Sequence, residues 1–217
     1  RRVKTLAVLQ HTSAEYLGLI EDHLEGRRIR FRYSRPFTAG GRLPAPEAVQ
    51  DGLVILGGGP WGSAGGRDLP TLEPEVAITR HALATGVPVL AIGLGAQILA
   101  IAAGGSSTPS GLEFEVGEAQ RTRPDALAGF LPERYPLVLY GRDRPQLPPD
   151  ADVLARDWQG RPALFQVGEL ALGFTGHPGT KPAIVEDLIM EFEEGPADPG
   201  PALAQLRAVR PALEDAL

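Results

Sequence analysis

Cysteine is absent from the 217-residue sequence, which excludes disulfide bonds, thiolate metal ligands and a cysteine nucleophile. The sequence also has fewer basic residues (21) than acidic residues (27). The net charge is −6, which argues against binding to a phosphate backbone, so we expect no nucleic-acid partner. Every apolar run is shorter than the roughly 18–20 residues of a membrane span. Residues 1–10 are interpreted as a charged start and a short strand rather than a signal peptide. These absences predict a cytoplasmic protein without a membrane partner.

The composition is otherwise that of a globular protein with an aliphatic core. Hydrophobic residues make up 43% of the chain, charged residues 22% and aromatic residues only 6%. Short apolar runs at residues 3–9, 53–56 and 87–92 alternate with helical patterns at residues 72–84 and 96–103. Such alternation favours a parallel sheet with helices on both faces. The sequence therefore predicts an α/β fold, a three-layer sandwich with a mostly parallel central sheet.

The stretch after the first strand contains Thr12 and Glu15 at the spacing of a helix capping box. Apolar residues then recur at helical spacing from Leu17 to Leu24, and Gly26 is a suitable end. The sequence therefore predicts a helix that opens at the Thr12 capping box.

The second half of the chain is less regular. It contains further strand candidates at residues 114–120, 136–140, 152–156, 163–167 and 171–174. The sequence of residues 181–193 predicts the last packed helix. The proline-rich stretch Gly195–Pro201 is the one credible boundary, so we expect a domain of residues 1–194 and a tail of residues 195–217 with a short helix.

A sharp turn joins the third apolar strand to the following helix in the sequence AIGLGAQ, residues 91–97. This strand–turn–helix arrangement is typical of a nucleophile elbow, which presents one side chain above the sheet. The segment GVPVLAIGLGAQILAIAAGG resembles the elbow of class I glutamine amidotransferases, and LVILGGGPWG resembles their oxyanion loop. GFTGHPG resembles the segment that carries their catalytic histidine and glutamate. The resemblance spans residues 3–193 and implies a flavodoxin-like fold.

The resemblance also assigns roles to single positions, and two catalytic groups are missing. The family's nucleophilic cysteine falls on Gly93, which has no side chain. Its general-base histidine falls on His177, and the glutamate that orients this histidine falls on Gly179. The resemblance implies that the backbone amides of Gly59 and Leu94 are the oxyanion donors. It implies a surrounding pocket that includes Gly58, Trp61, Gln97, Arg142 and Asp143.

No cofactor and no metal is expected. The four histidines lack the spacing of metal ligands. Gly57, Gly59 and Gly62 have the spacing of a dinucleotide fingerprint, but Pro60 interrupts it and no clear helix follows.

Three functions remain open. The first is a catalytically degenerate family member that lacks glutaminase activity and binds a synthase-type partner enzyme, a second copy of itself as a homo-oligomer, or a small carboxylate or amide ligand. The second is a repurposed enzyme that uses the old pocket without a covalent cysteine intermediate. The third is an ordinary amidotransferase whose nucleophile was removed by engineering. Gly179 argues against the third, because one inactivating substitution would be enough.

One structural observation separates the first two functions. Convergence of His177, Gln97 and Arg142 on a closed polar cavity at Gly93 would favour the repurposed enzyme. A scattered or filled site would favour binding.

Overall fold

The computed structural model describes residues 2–177 and 182–216. The strands in this part of the chain are β1 Thr5–Leu9, β2 Arg30–Ser34, β3 Leu53–Ile55, β4 Val89–Ile92, β5 Ser106–Thr108, β6 Glu113–Arg121, β7 Arg134–Gly141, β8 Arg144–Gln146, β9 Asp152–Arg156, β10 Pro162–Val167 and β11 Ala171–Phe174. Nine of them form the central sheet, in the order β2-β1-β3-β4-β11-β10-β9-β6-β7. The sequence did not predict β5 and β8, which pair with each other in a small separate sheet.

Helices cover both faces of the sheet. They are α1 Leu19–Gly26, α2 Leu72–Ala84, α3 Leu94–Ala102, α4 Pro182–Glu191 and α5 Gly200–Ala216, with short 3-10 segments at Pro46–Ala48 and Ala126–Gly129. Alternate residues of β3 point to opposite faces of the sheet. Leu53 and Ile55 pack in the cluster that contains α2 and α3, whereas Val54 packs in the cluster that contains α1. The predicted α/β sandwich is therefore confirmed.

The sheet changes character at β11. Strands β2, β1, β3, β4 and β11 run parallel to one another. Strands β10, β9, β6 and β7 continue the sheet in antiparallel pairing. Because the parallel strands end at one edge, the loop after β3 and the turn after β4 lie side by side there. This edge holds the elbow that the sequence indicated.

One helix begins later than the sequence predicts. Residues 10–18 are not helical, and α1 begins at Leu19. The Glu15 amide donates to Thr12 Oγ1 at 3.1 Å, as in a capping box. The Glu15 carboxyl, however, accepts a hydrogen bond from the Gly59 amide at 3.0 Å. The prediction was wrong because this tertiary contact takes the carboxyl away from the local backbone.

The end of the chain packs on the sheet. α5 has 17 residues and lies against β6 and β7. Leu206 is fully buried in a cluster with Val138 and Val185. None of the helices in the described part of the chain combines the length and the apolar character that a bilayer crossing requires.

Candidate functional site

The turn between β4 and α3 has the backbone of an elbow. Gly93 lies at this turn with φ 58° and ψ −117°, a conformation that strains residues with a side chain. Its amide donates to the Phe174 carbonyl of β11 at 2.8 Å, which ties the turn to the sheet. A Cβ built on Gly93 would have one close neighbour, the Cα of Gly57 at 3.3 Å. Most of the space that a side chain would use is therefore open.

The loop of residues 57–60, Gly-Gly-Gly-Pro, follows β3 and lies against this turn. A Cβ on Gly58 would come 2.4 Å from Leu94 Cδ2, and a Cβ on Gly95 would come 2.1 Å from the Ile55 carbonyl oxygen. Glycine at these two positions lets α3 pack directly on the loop and on β3. The two amides expected as oxyanion donors belong to these neighbouring segments. The Leu94 amide opens α3, where an amide has no intrahelical acceptor.

Two adjoining cavities meet at Gly93, Tyr140 and Thr175, which line both. The Gln97 cavity is further lined by the residues expected from the resemblance, namely Gly58, Gly59, Trp61, Leu94, Gln97, Arg142 and Asp143. The Glu15 cavity is further lined by Glu15, Val138, His177, Ile184, Val185 and Leu188. The structure thus places the expected residues around Gly93, but His177 lies on a different side from Gln97 and Arg142.

The polar groups of the Gln97 cavity hold the surrounding loops. Gln97 accepts a hydrogen bond from the Ser63 hydroxyl and donates to the Arg142 carbonyl at 2.8 Å. The Asp143 carboxylate accepts the Ser63 amide at 2.9 Å and the Ser110 amide at 3.0 Å. Gln97 and Asp143 therefore position the walls of this cavity.

Arg142 and Trp61 form the other side of the Gln97 cavity. Arg142 Nε donates to the Pro60 carbonyl at 2.9 Å, and its guanidinium is ion-paired with Glu194. Arg67 also pairs with Glu194, at 2.6 Å, and lies 4.8 Å from the centroid of the Trp61 ring. Hydrogen bonds from Arg67 and Arg142 hold the pKa of Glu194 below its usual value. The Arg142 guanidinium is thus committed to contacts within the protein.

The Glu15 cavity contains a buried carboxyl that the sequence did not identify as a site residue. Glu15 is only 5% exposed, and its Oε2 accepts the Gly59 amide. A Cβ on Gly57 would come 1.8 Å from Glu15 Oε1, so glycine at position 57 makes room for the carboxyl. Burial raises the pKa of Glu15 to about 7, although the Gly59 hydrogen bond and the charge of His11 act in the opposite direction. This carboxyl occupies one expected oxyanion donor and titrates near neutral pH.

His177 lines the same cavity and is buried. Its Nε2 lies 2.7 Å from the Tyr16 carbonyl oxygen, and because a carbonyl can only accept, Nε2 carries the proton. Burial lowers the pKa of His177 to about 4, so the imidazole is neutral near pH 7. Gly179, the position of the missing orienting glutamate, lies outside the described residues. Two adjacent residues thus make the two contacts: Glu15 binds the Gly59 amide, and Tyr16 binds His177.

A second buried histidine supports the loop of residues 57–60. His11 Nδ1 donates to the Gly57 carbonyl at 3.1 Å, and Nε2 lies 2.5 Å from Glu75 Oε1. Burial alone would lower the pKa of His11, but the charge and the hydrogen bond of Glu75 outweigh it and the pKa is raised. No local pattern in the sequence indicates this pair, because its members are 64 positions apart.

The side chains around Gly93 include polar groups that can bind a ligand or transfer a proton. Gly93 offers no attacking atom. With a pKa of about 7, the Glu15 carboxyl can give up or take up a proton near neutral pH, whereas His177, with a pKa of about 4, stays neutral there. Among residues 2–177 and 182–216, no three His, Asp or Glu side chains are grouped so that they could hold a metal ion.

Comparisons with known proteins agree with this geometry. The family model described as Glutamine amidotransferase class-I matches residues 33–136. A solved glutamine amido transferase from Methylobacillus flagellatus is 25% identical, with a TM-score of 0.82 over 99% of this chain and 91% of that chain. A glutamine amidotransferase from Thermotoga maritima is 23% identical, with a TM-score of 0.81 over 100% of this chain and 95% of that chain.

A more distant structure shares the fold. A Thermoplasma acidophilum protein assigned to GMP synthase, as one of its subunits, is 16% identical, with a TM-score of 0.63 over 97% of this chain and 99% of that chain. A comparison with curated proteins gives no match.

Proposed function

We propose that this chain, of which residues 33–136 match the class I glutamine amidotransferase family model, is a member of that family that does not hydrolyse glutamine but acts by binding a partner enzyme or a small ligand. The observation that carries this proposal is the elbow at Gly93, which keeps the turn but has no side chain. Covalent acyl transfer needs an atom that attacks the amide carbon, and the chain has no cysteine. In another hydrolase, removal of the nucleophile costs a factor of about 10⁶ in kcat.

The contacts of Glu15 and Tyr16 support the same proposal. The Gly59 amide, an expected oxyanion donor, already donates to the Glu15 carboxyl. Once this carboxyl is ionised, its charge opposes an oxyanion at the same place. His177 donates from Nε2 to the Tyr16 carbonyl, so a backbone group holds the imidazole. Two of the groups that survive from the expected site, the Gly59 amide and His177, are therefore engaged by the chain itself.

We propose a small carboxylate or amide as the ligand of the Gln97 cavity. Leu94 lines this cavity and is the first residue of α3, and the amides at a helix N-terminus favour a carboxylate. Trp61 supplies a flat apolar wall beside it. These groups support binding without a reaction.

A partner enzyme is supported by a structural neighbour. The Thermoplasma acidophilum protein with the same fold is assigned to GMP synthase as one of its subunits. Because that protein is described as a synthase subunit, we propose a synthase-type partner for this chain.

The test is a glutaminase assay on the pure protein, followed by calorimetric titration with glutamine and glutamate. We expect no release of glutamate or ammonia above that of a heat-denatured sample, while an active glutaminase responds in the same assay. Trp61→Ala should weaken any ligand binding, and Trp158→Ala is the matched control because Trp158 lines neither cavity. Sustained turnover of glutamine would overturn the proposal.

A repurposed enzyme is the second candidate, and Glu15 favours it. A carboxyl whose pKa is about 7 suits acid–base catalysis at neutral pH, and it lines one cavity with His177. Against this candidate, Gln97 and Arg142 face the other cavity and are engaged in loop contacts. The residues expected to act in acid–base catalysis thus lie in two different cavities, which favours binding over catalysis.

A further inference from the structure

Basic residues are concentrated in one part of the chain. Residues 1–42 contain nine basic and four acidic residues, whereas residues 43–217 contain twelve basic and twenty-three acidic residues. Exposed arginines lie on β2 and immediately before it, namely Arg27, Arg28, Arg30 and Arg32. Within the part of the chain that the structure describes, none of these four side chains forms an ion pair. Residues 27–34, called the β2 edge below, are therefore positively charged on a protein whose remainder is acidic.

β2 is the end strand of the central sheet, and in the described part of the chain only β1 pairs with it. The Arg30 amide donates to the Lys4 carbonyl at 3.0 Å, so the backbone groups of Arg30 point towards β1. Successive residues of a strand direct their backbone groups to opposite sides, so those of Phe31 and Tyr33 point away from β1. Such a row of amides and carbonyls is a template for another extended chain.

The two faces of β2 carry different side chains. Arg30 and Arg32 are exposed on one face. Phe31 and Tyr33 are half-buried on the other face, where they pack in the cluster that contains α1, and their ring centroids lie 5.7 Å apart. A strand that continues the sheet places its alternate side chains on the same two faces. Acidic residues beside the arginines and apolar residues beside the rings match both faces.

The same features distinguish between classes of partner. Two copies of this edge would bring their arginines together, and like charges repel, which disfavours a dimer through β2. A nucleic acid or an anionic lipid surface matches the charge of Arg30 and Arg32. Neither has a peptide backbone that could pair with the amides and carbonyls of Phe31 and Tyr33. An acidic protein segment matches both the charge and the backbone.

We propose that the β2 edge binds an extended segment of a partner protein in which acidic and apolar residues alternate. The segment pairs its backbone with that of Phe31 and Tyr33 and places its carboxylates beside Arg30 and Arg32, as in other cases of strand addition to a sheet edge. This inference rests on the proposed binding of a partner, and it names the surface and the kind of segment involved.

The first experiment measures binding of the fluorescein-labelled peptide Val-Glu-Val-Glu-Val-Glu to the full chain by fluorescence anisotropy. We expect saturable binding that weakens as salt is added, because salt screens exposed charges. The peptide with lysine in place of glutamate should not bind. No saturable binding of the glutamate peptide would overturn the proposal. A short DNA duplex and phosphatidylserine vesicles test the other anionic classes, and tighter binding of either would overturn the assignment to a protein segment.

A second pair of measurements separates strand addition from charge attraction alone. The glutamate peptide with N-methylated backbone amides keeps its carboxylates but has no backbone donors, so it should bind at least about tenfold more weakly. Amide hydrogen exchange, followed by NMR, should slow at Phe31 and Tyr33 when the unmodified peptide binds. It should change little at Arg30, whose amide already donates to β1. Equal affinity for the two peptides, or unchanged exchange at Phe31 and Tyr33, would overturn strand addition.

Variants then locate the surface. Arg32→Glu should lower the affinity for the glutamate peptide at least about tenfold, because like charges then face each other. Arg80→Glu is the matched control, since Arg80 is an exposed arginine on α2. The double variant Arg30→Glu/Arg32→Glu should bind the lysine peptide, a gain that an unfolded variant cannot give.

Two results with these variants would contradict the proposal. One is an equal loss of affinity in Arg32→Glu and Arg80→Glu, and the other is a double variant that binds neither peptide. Glutamine hydrolysis is measured separately. Absent peptide binding together with absent glutamine turnover would therefore remove this inference and leave the proposed loss of glutaminase activity standing.

Discussion

Replacement of Glu15 by glutamine should stabilise the protein, and the gain should grow with pH. In the folded protein, burial raises the pKa of Glu15 from its usual 4.5 to about 7. The native state therefore holds a proton that the unfolded chain releases at lower pH. The stability that this proton provides is complete below about pH 4.5 and is lost as the pH rises through about 7. A glutamine at position 15 is neutral at every pH, so the variant does not lose this stability as the pH rises.

The magnitude follows from the two pKa values. At about 1.36 kcal/mol per pKa unit, the interval between 4.5 and about 7 corresponds to about 3 kcal/mol. Between about pH 4.5 and about pH 8.5, the free energy of unfolding of Glu15→Gln should thus rise by about 3 kcal/mol relative to that of the parent protein. For a chain of this length the difference in Tm amounts to about 6–12 °C. His177 acts in the opposite sense, because its lowered pKa costs stability as the pH falls from 6.5 to about 4. Its effect cancels when both proteins are compared at one pH.

The assay is urea unfolding, followed by circular dichroism, of the parent protein and of Glu15→Gln at several pH values. Glu193→Gln is the control, because it removes the same charge from an exposed position and should shift the stability by at most about 0.5 kcal/mol. A difference between the parent and Glu15→Gln that stays constant across the pH range would refute a raised pKa for Glu15.

Four further substitutions test the structure around the site. Gly93→Cys should lower the stability by about 1–2 kcal/mol in urea unfolding, since φ is 58° there, and should not produce glutamine hydrolysis; a higher Tm would contradict the strain. Gly57→Ala should cost about 2 kcal/mol or more, because the new Cβ meets the buried carboxyl at 1.8 Å, and a neutral effect would mean that the carboxyl can move away. His11→Leu should cost about 3–5 kcal/mol in the same assay, because it leaves a buried carboxylate unpaired; a cost under about 1 kcal/mol would show that the pair is not needed. Leu206→Ala should cost about 3 kcal/mol if α5 is part of the folded core, whereas Met190→Ala, at a residue that is 84% exposed, should change little; equal effects would show that α5 does not contribute.

Local patterns in the sequence predicted most of the fold. α2 lies at residues 72–84 as predicted, and β4 and α3 lie within two residues of the expected bounds. These elements could be predicted because an apolar run or a 3.6-residue period records which side of each element is buried. The position of the turn at Gly93 followed from the same reasoning, because it lies between a clear strand and a clear helix.

Two features could not be predicted in this way. The helix expected from Thr12 does not form there, because the Glu15 side chain reaches a loop 44 positions further along the chain. Strands β5 and β8 have only three residues each, too few to show a period.

The sequence by itself determined that residue 93, at the turn between β4 and α3, has no side chain, since a missing side chain is missing in any fold. Only the tertiary structure decided what fills the surroundings of Gly93. The contacts from Glu15 to Gly59, from His11 to Glu75 and from His177 to Tyr16 join residues 44, 64 and 161 positions apart. Burial on folding then changes the pKa values of Glu15 and the two histidines, and burial depends on the packing of the whole chain.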